Sequence, residues 1–251
     1  IGIILANWLI LEAFGSLFLG RTVERWNNKP AAFTFISILF SLFLILAVFP
    51  IRNLKHLLGV SIGEIVGLLP IFYSSFLILL PVSMLHGALF TYSCRIHSLF
   101  AAQETTSAGR VYVYETVGTL VGGIASTYLF VRFLNTFETT SLVLLLHVVA
   151  GLVLLLPYPD SGRFQKGVVA LLLVLLPASG YLLFGGAADR LHRHSVANQW
   201  SSLEVVHYEN SPYGNICVVE NEGQYIYFVD GTAGLIVPVP DMPSVEEYVH
   251  I

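Results

Sequence analysis

Apolar residues run in long blocks through the first three quarters of the chain, and regular alternation with polar residues begins only near residue 202. Six blocks stand out: Ile1–Gly20, Ala31–Pro50, Ser61–Phe90, the residues between Arg110 and Arg132, Ser141–Leu156 and Gly167–Ala188. At about 1.5 Å per helical residue they approach or exceed what a hydrocarbon layer of about 30 Å requires, so each reads as a membrane span. The first block opens at Ile1 without Met or a basic leader and reads as the later part of a span. Pro50 is expected to close the second span, Pro70 and Pro81 to kink or split the third, and Pro177 and Gly180 to interrupt the sixth. Tyr92–Ala108, with Cys94, Arg95, His97 and Glu104, reads as a polar connection.

The fourth block carries a small-residue stripe, Gly118, Gly122 and Ser126, along which another helix can approach closely. Glu115 precedes Gly122 by seven residues and shares that face, so its carboxyl is expected to point into protein. The pattern predicts that this helix lies near the centre of a bundle. Beyond Ser202 the segments LEVVHYE, NICVVE and QYIYFVD alternate at period two and predict three strands. Asn221, Glu222 and Gly223 supply a hairpin turn between the second and third, and Gly231 and Gly234 end the third. Pro238, Pro240 and Pro243 rule out a central strand beyond it. The fold class is therefore mainly α: residues 1–190 form a polytopic helical membrane bundle of about six spans, and residues 201–251 a small antiparallel β module. Such a module needs a partner, whether more chain, another copy or the bundle itself.

Composition supports the membrane reading. Of 251 residues 55% are hydrophobic and only 11% charged, with a mean hydropathy of +0.76. All 12 Lys and Arg lie at or before Arg193, whereas eight of the 16 acids lie beyond it. That tail repels nucleic acid and attracts cations, small amines included, unless its acids serve only solubility. Alternate loops place Arg21, Arg25, Lys29, Arg95, Arg110, Arg163 and Lys166 on one side and Arg52, Lys55, Arg132, Arg190 and Arg193 on the other. The positive-inside rule then makes the first side cytoplasmic and sends the β module outside. Cys94 and Cys217 fall in different regions and read as free thiols.

The stretch YENSPYGNICVVENEGQYIYFVDG, running into PDMPSVEEYVHI, resembles the N-terminal β domain of spermidine synthases. With GRVYVYETVGTLVGG before it, the chain is similar to bacterial proteins in which a transporter-like bundle is fused to a spermidine-synthase-like domain. GRTVERWNNKP faintly resembles the basic loop of major facilitator transporters, without its acidic residue and second glycine. The resemblance implies a bacterial inner-membrane protein with a periplasmic β module that supports aminopropyl transfer. Decarboxylated S-adenosylmethionine would be the co-substrate of a following Rossmann-like domain, and no cofactor belongs to this segment. Asp230, Asp241, Glu246 and His250 match the family, as does the Tyr213 position. Gly214 and Gly234 stand where the family has glutamines, and Ser244 and Val245 where it has a Tyr-His pair.

Tyr213, Asp230, Asp241, Glu246 and Glu247 are thus candidate amine-binding residues, the acids doubling as turn, helix-start and solvated groups. Glu12, Glu64 and Glu115 read either as cation or proton sites of a carrier or as structural partners of Arg21, Arg110 or Arg132. His86 and His147, on different spans, read as ligands of a haem or pigment or as hydrogen-bonded histidines. His192 and His194 form an interfacial cluster with Arg190 and Arg193. No phosphate loop, zinc spacing or nucleophile elbow occurs. The alternatives to a synthase anchor are a non-catalytic membrane subunit docking within an oligomer or larger complex, and a cation or amine carrier.

Overall fold

A computed structural model describes residues 1–101, 107–157, 162–201, 203–238 and 246. Six helices among these are long and apolar enough to cross a membrane. They are α1 (Gly2–Arg25), α2 (Lys29–Arg52), α4 (Leu68–Ala101), α5 (Ser107–Phe133), α6 (Thr136–Leu155) and α7 (Arg163–Phe184). Short α3 (Leu54–Leu58) follows α2, and α8 (Ala187–Gln199) leads into the β module. Each span turns large apolar side chains outward, Leu9, Leu46, Leu77, Leu120, Val153 and Val174 among them. That exposure suits lipid rather than water.

Local signals account for the helix starts. Asn28 accepts from the Ala31 backbone N–H at 2.9 Å to cap α2. Asn135 and Glu138 close a reciprocal capping box on α6, the Glu138 carboxylate accepting from the Asn135 N–H at 2.8 Å. The core lies between α2, α6 and α7, where Ala31, Ile38, Leu144, Val148 and Leu172 are fully buried.

The third span is longer and shifted relative to the sequence expectation. α4 runs unbroken from Leu68 through the supposed connection at Tyr92 to Ala101. Pro70 falls in its first turn, where no backbone donor is required, and Pro81 costs one backbone bond without ending the helix. The polar residues of its last turns pair with the end of α1. Ser16 and Thr91 hydroxyls meet at 2.9 Å, Thr22 and Tyr92 at 2.8 Å, and Arg95 and Glu24 at 3.0 Å. Pro50 and Pro177 likewise lie inside α2 and α7.

The small-residue packing lies elsewhere than predicted. α5 is peripheral: only Ser107 and Val111 along it are buried, and nothing comes within 4 Å of where a Cβ would stand at Gly118 or Gly122. The close approach is between α1 and α4. A Cβ on Gly87 would run into the Glu12 carbonyl, and one on Gly15 into the Met84 carbonyl. Residues on α1 and α4 thus do what the Gly118, Gly122 and Ser126 stripe was expected to do.

The β module holds four strands rather than three, in the order β1 (Glu204–Ser211), β2 (Gly214–Asn221), β3 (Gln224–Val229) and β4 (Thr232–Val237), all antiparallel. Glu222 and Gly223 take positive φ (50° and 80°), as do Asp230 and Gly231 (51° and 77°), so both pairs turn tight hairpins. The second hairpin continues the sheet beyond Asp230. β4 is an edge strand that ends before Pro238, which is why the prolines permit it. Val196 of α8 and Trp200 just after it pack with Cys217, Val219 and Phe228 to join module and helix.

Arg52, at the end of α2, holds this junction. Its guanidinium donates to the Ser195 hydroxyl, to the His192 carbonyl at 3.2 Å and to Thr136 Oγ1 at 3.2 Å, and meets His192 Nδ1 at 3.0 Å. A guanidinium only donates, so that ring nitrogen is an acceptor and the imidazole is neutral. Burial and the Arg52 charge push the His192 pKa down to about 4. The unfolded chain therefore takes up this proton near pH 6.5 and the folded one only near 4. Stability from His192 is full above about pH 6.5 and is lost as pH falls from there toward 4. Protease accessibility of the 185–203 segment is expected to rise across that window, and His192→Gln to remove the step.

Candidate functional site

Two glutamates and a histidine from three different helices converge inside the helical part. Glu12 lies near the middle of α1, His86 near the middle of α4, and Glu115 in the first third of α5. One oxygen or nitrogen of each lies within 4.8 Å of the others, and all three side chains are half-buried. His86 Nδ1 is 2.9 Å from Glu12 Oε1, and Trp8 Nε1 donates to Glu12 Oε2 at 3.0 Å. Trp8 precedes Glu12 by four residues, one helical turn, so α1 itself orients this carboxylate. The His86 ring rests between aromatic neighbours, 5.5 Å from Trp8 and 5.7 Å from Phe40.

Two cavities flank Glu115. One, of about 690 Å³, lies between α2, α4, α5 and α6; its polar lining is Ser37, His86, Ser93, His97, Glu115 and His147 among phenylalanines, leucines and isoleucine. The other, of about 720 Å³, lies between α1, α4 and α5 and includes Glu12, Ser16, Thr116 and Thr119. His147, near the middle of α6, meets the Ser41 hydroxyl at 2.8 Å through Nδ1, and its ring packs on Phe40 at 5.9 Å. His86 and His147 thus share one cavity, and each is held by a hydrogen bond.

The charge balance of the cluster is unusual. Among the described residues no Lys or Arg forms an ion pair with Glu12 or Glu115. The structural pairing with Arg21, Arg110 or Arg132 that the sequence left open is not what these carboxylates do. Two carboxylates against one imidazole, in the apolar middle of three helices, call for a proton or another cation. Glu64 is not part of this arrangement. It is exposed in the loop before α4, where its carboxylate accepts from the Ser61 N–H at 3.2 Å, so its expected place within a span is corrected.

The residues put forward for amine binding are scattered. Tyr213 is 97% exposed in the β1–β2 turn, and Glu246 is exposed. Asp241, Glu247 and His250 lie outside the described residues. Asp230 Oδ1 accepts from the Asn215 N–H at 2.8 Å and ties the β3–β4 turn to the start of β2. A Cβ on Gly214 would meet that carboxylate at 2.8 Å at a φ of 152°, which accounts for glycine there. Asp230 also borders a cavity of about 430 Å³ between bundle and module, beside Arg52 and Lys55. Lys55 donates to the Gly231 carbonyl at 2.9 Å, and burial pushes its pKa down while the Glu64 charge opposes this. Two cations at its wall make this cavity a poor host for a polyamine.

The sequence reads His86 as a haem or pigment ligand or as a hydrogen-bonded histidine and does not join it to Glu12, because 74 residues separate them. The signal in the sequence is a titratable residue inside three of the apolar blocks, Glu12, His86 and Glu115. Comparison with protein-family models, curated proteins and solved structures finds no match to this chain.

Proposed function

We propose that this chain is an integral membrane protein of the cation-carrier class, with Glu12, His86 and Glu115 as its binding centre. The observation that carries the reading is their convergence between two cavities, with no Lys or Arg in ion-pair contact with either carboxylate among the described residues. A group that binds and releases a cation at mid-depth is what alternating exposure to two sides requires. The excess of basic residues in the loops opposite the β module supports a cytoplasmic place for that side and an outer one for the module. In proteoliposomes enclosing a pH-sensitive dye, an imposed potential is expected to drive proton entry. Glu115→Gln is expected to slow it at least about tenfold, equivalent to about 1.4 kcal/mol in barrier. Entry at the same rate in the variant would remove the carrier reading.

A second reading keeps the resemblance to spermidine-synthase fusions, in which the bundle anchors and the β module supports aminopropyl transfer within an oligomer or longer chain. What favours it is an apolar sheet surface left uncovered: Tyr225, Tyr227 and Val229 of β3 are exposed beside Leu235 and Val237 of β4. Incubating the protein with decarboxylated S-adenosylmethionine and putrescine is expected to release methylthioadenosine, and no release would discard this reading.

A further inference from the structure

We infer that Glu12, His86 and Glu115 bind a divalent transition-metal ion, with an open coordination position facing the flanking cavities. The inference deepens the carrier reading by naming its cation, and it rests on that reading only for transport, not for binding.

Geometry comes first. Oxygen and nitrogen ligands about 2.0–2.2 Å from one ion lie about 3 Å from each other. Glu12 Oε1 and His86 Nδ1 are already 2.9 Å apart, so both can bind one ion without separating α1 from α4. The third ligand, Glu115, has its nearest candidate atom within 4.8 Å and must approach by about 1–2 Å to reach bonding distance. α5 has room for that movement, since it is peripheral and has a cavity on either side of Glu115. Ion binding therefore draws α5 against α1 and α4.

Donor chemistry narrows the ion. One imidazole with two carboxylates suits zinc, cobalt, iron or manganese, whereas magnesium and calcium prefer oxygen alone. A dipositive ion also neutralises the two carboxylates, which no described Lys or Arg does. Trp8 supplies the outer support by donating to the second oxygen of Glu12. Three protein ligands leave a position for water or an incoming group, the arrangement of exchangeable rather than closed sites.

The test is titration of the detergent-solubilised chain with cobalt(II) chloride, read by its visible absorption. One saturable Co²⁺ per chain is expected, displaced by zinc and not by excess magnesium. His86→Gln and Glu12→Gln are each expected to weaken binding more than about tenfold, and Glu64→Gln, in an exposed loop, to leave it unchanged. Absence of a saturable band in the unaltered chain, or equal affinity in His86→Gln, overturns the inference. Proton entry that depends on Glu115 without cobalt binding would overturn the metal site and keep the carrier. Cobalt binding with proton entry indifferent to Glu115→Gln would keep the metal site and remove the carrier.

Discussion

Gly87→Ala is expected to destabilise the protein by about 1–3 kcal/mol or more, whereas Gly122→Ala is expected to be neutral or slightly stabilising. The two substitutions add the same methyl group to a glycine in an apolar helix, so their difference isolates the environment. At Gly87 the new carbon meets the backbone carbonyl of Glu12 and the backbone nitrogen of Ser16. Backbone cannot rotate aside, so α1 and α4 must separate along their crossing. The crossing also carries the Ser16–Thr91 and Thr22–Tyr92 hydrogen bonds and the two amide contacts of Asn7, to the Phe72 carbonyl and the Ser75 hydroxyl, each at 2.8 Å. Separation loosens all of them and parts Glu12 from His86. At Gly122 the methyl enters open space, and alanine is the better helix former by about 1 kcal/mol. Unfolding in mixed micelles, followed by circular dichroism, reads the difference. Equal effects, or a larger loss at Gly122, would mean that α5 and not α1 makes the close helix contact.

The same contrast shows what the sequence discloses and what it conceals. Six apolar blocks are visible because their length alone is diagnostic, and the β2–β3 hairpin because Glu222 and Gly223 leave few other turn geometries. The fourth strand was hidden by Pro238 and its successors, which forbid a central strand and not an edge. The polar run after Tyr92 looked like a loop because its partners, Thr22 and Glu24, lie about 70 residues away. Spacing made Gly118, Gly122 and Ser126 conspicuous, yet spacing says only that a helix can be approached. Gly15, Gly20 and Gly87 follow no four-residue repeat and are packed against backbone or a β-branched side chain all the same. Of the site, Glu12 and Glu115 were legible as charges in greasy surroundings. Their company with His86 was not, since it arises from three helix packings and no local pattern.

Removal of Arg52 is expected to release the β module from the bundle. Arg52 lies at the last turn of α2, yet its guanidinium reaches α8 through Ser195 and His192 and the first residue of α6 through Thr136. Its carbon also lies 5.7 Å from the ring centres of both Phe137 and Tyr208, one from the bundle and one from β1. No other described residue ties α2, α6, α8 and the sheet together through one group. Arg52→Ala is therefore expected to cost about 2–4 kcal/mol in docking, the scale of losing one to two charge-assisted hydrogen bonds from partly buried acceptors. Arg52→Lys is expected to recover little, because a single ammonium cannot span a fork of acceptors on different elements or stack between two rings. The readout is cleavage within residues 185–203 by a protease added to micelles, with the fluorescence of Trp200, buried against Phe228 at 4.8 Å, as a second probe. Both variants are expected to expose that segment at neutral pH as acid does in the unaltered chain, since Arg52 and neutral His192 are two halves of one contact. If Arg52→Lys resists cleavage as the original does, the fork geometry is not what docks the sheet, and Lys55 with its 2.9 Å bond to the Gly231 carbonyl becomes the principal tether.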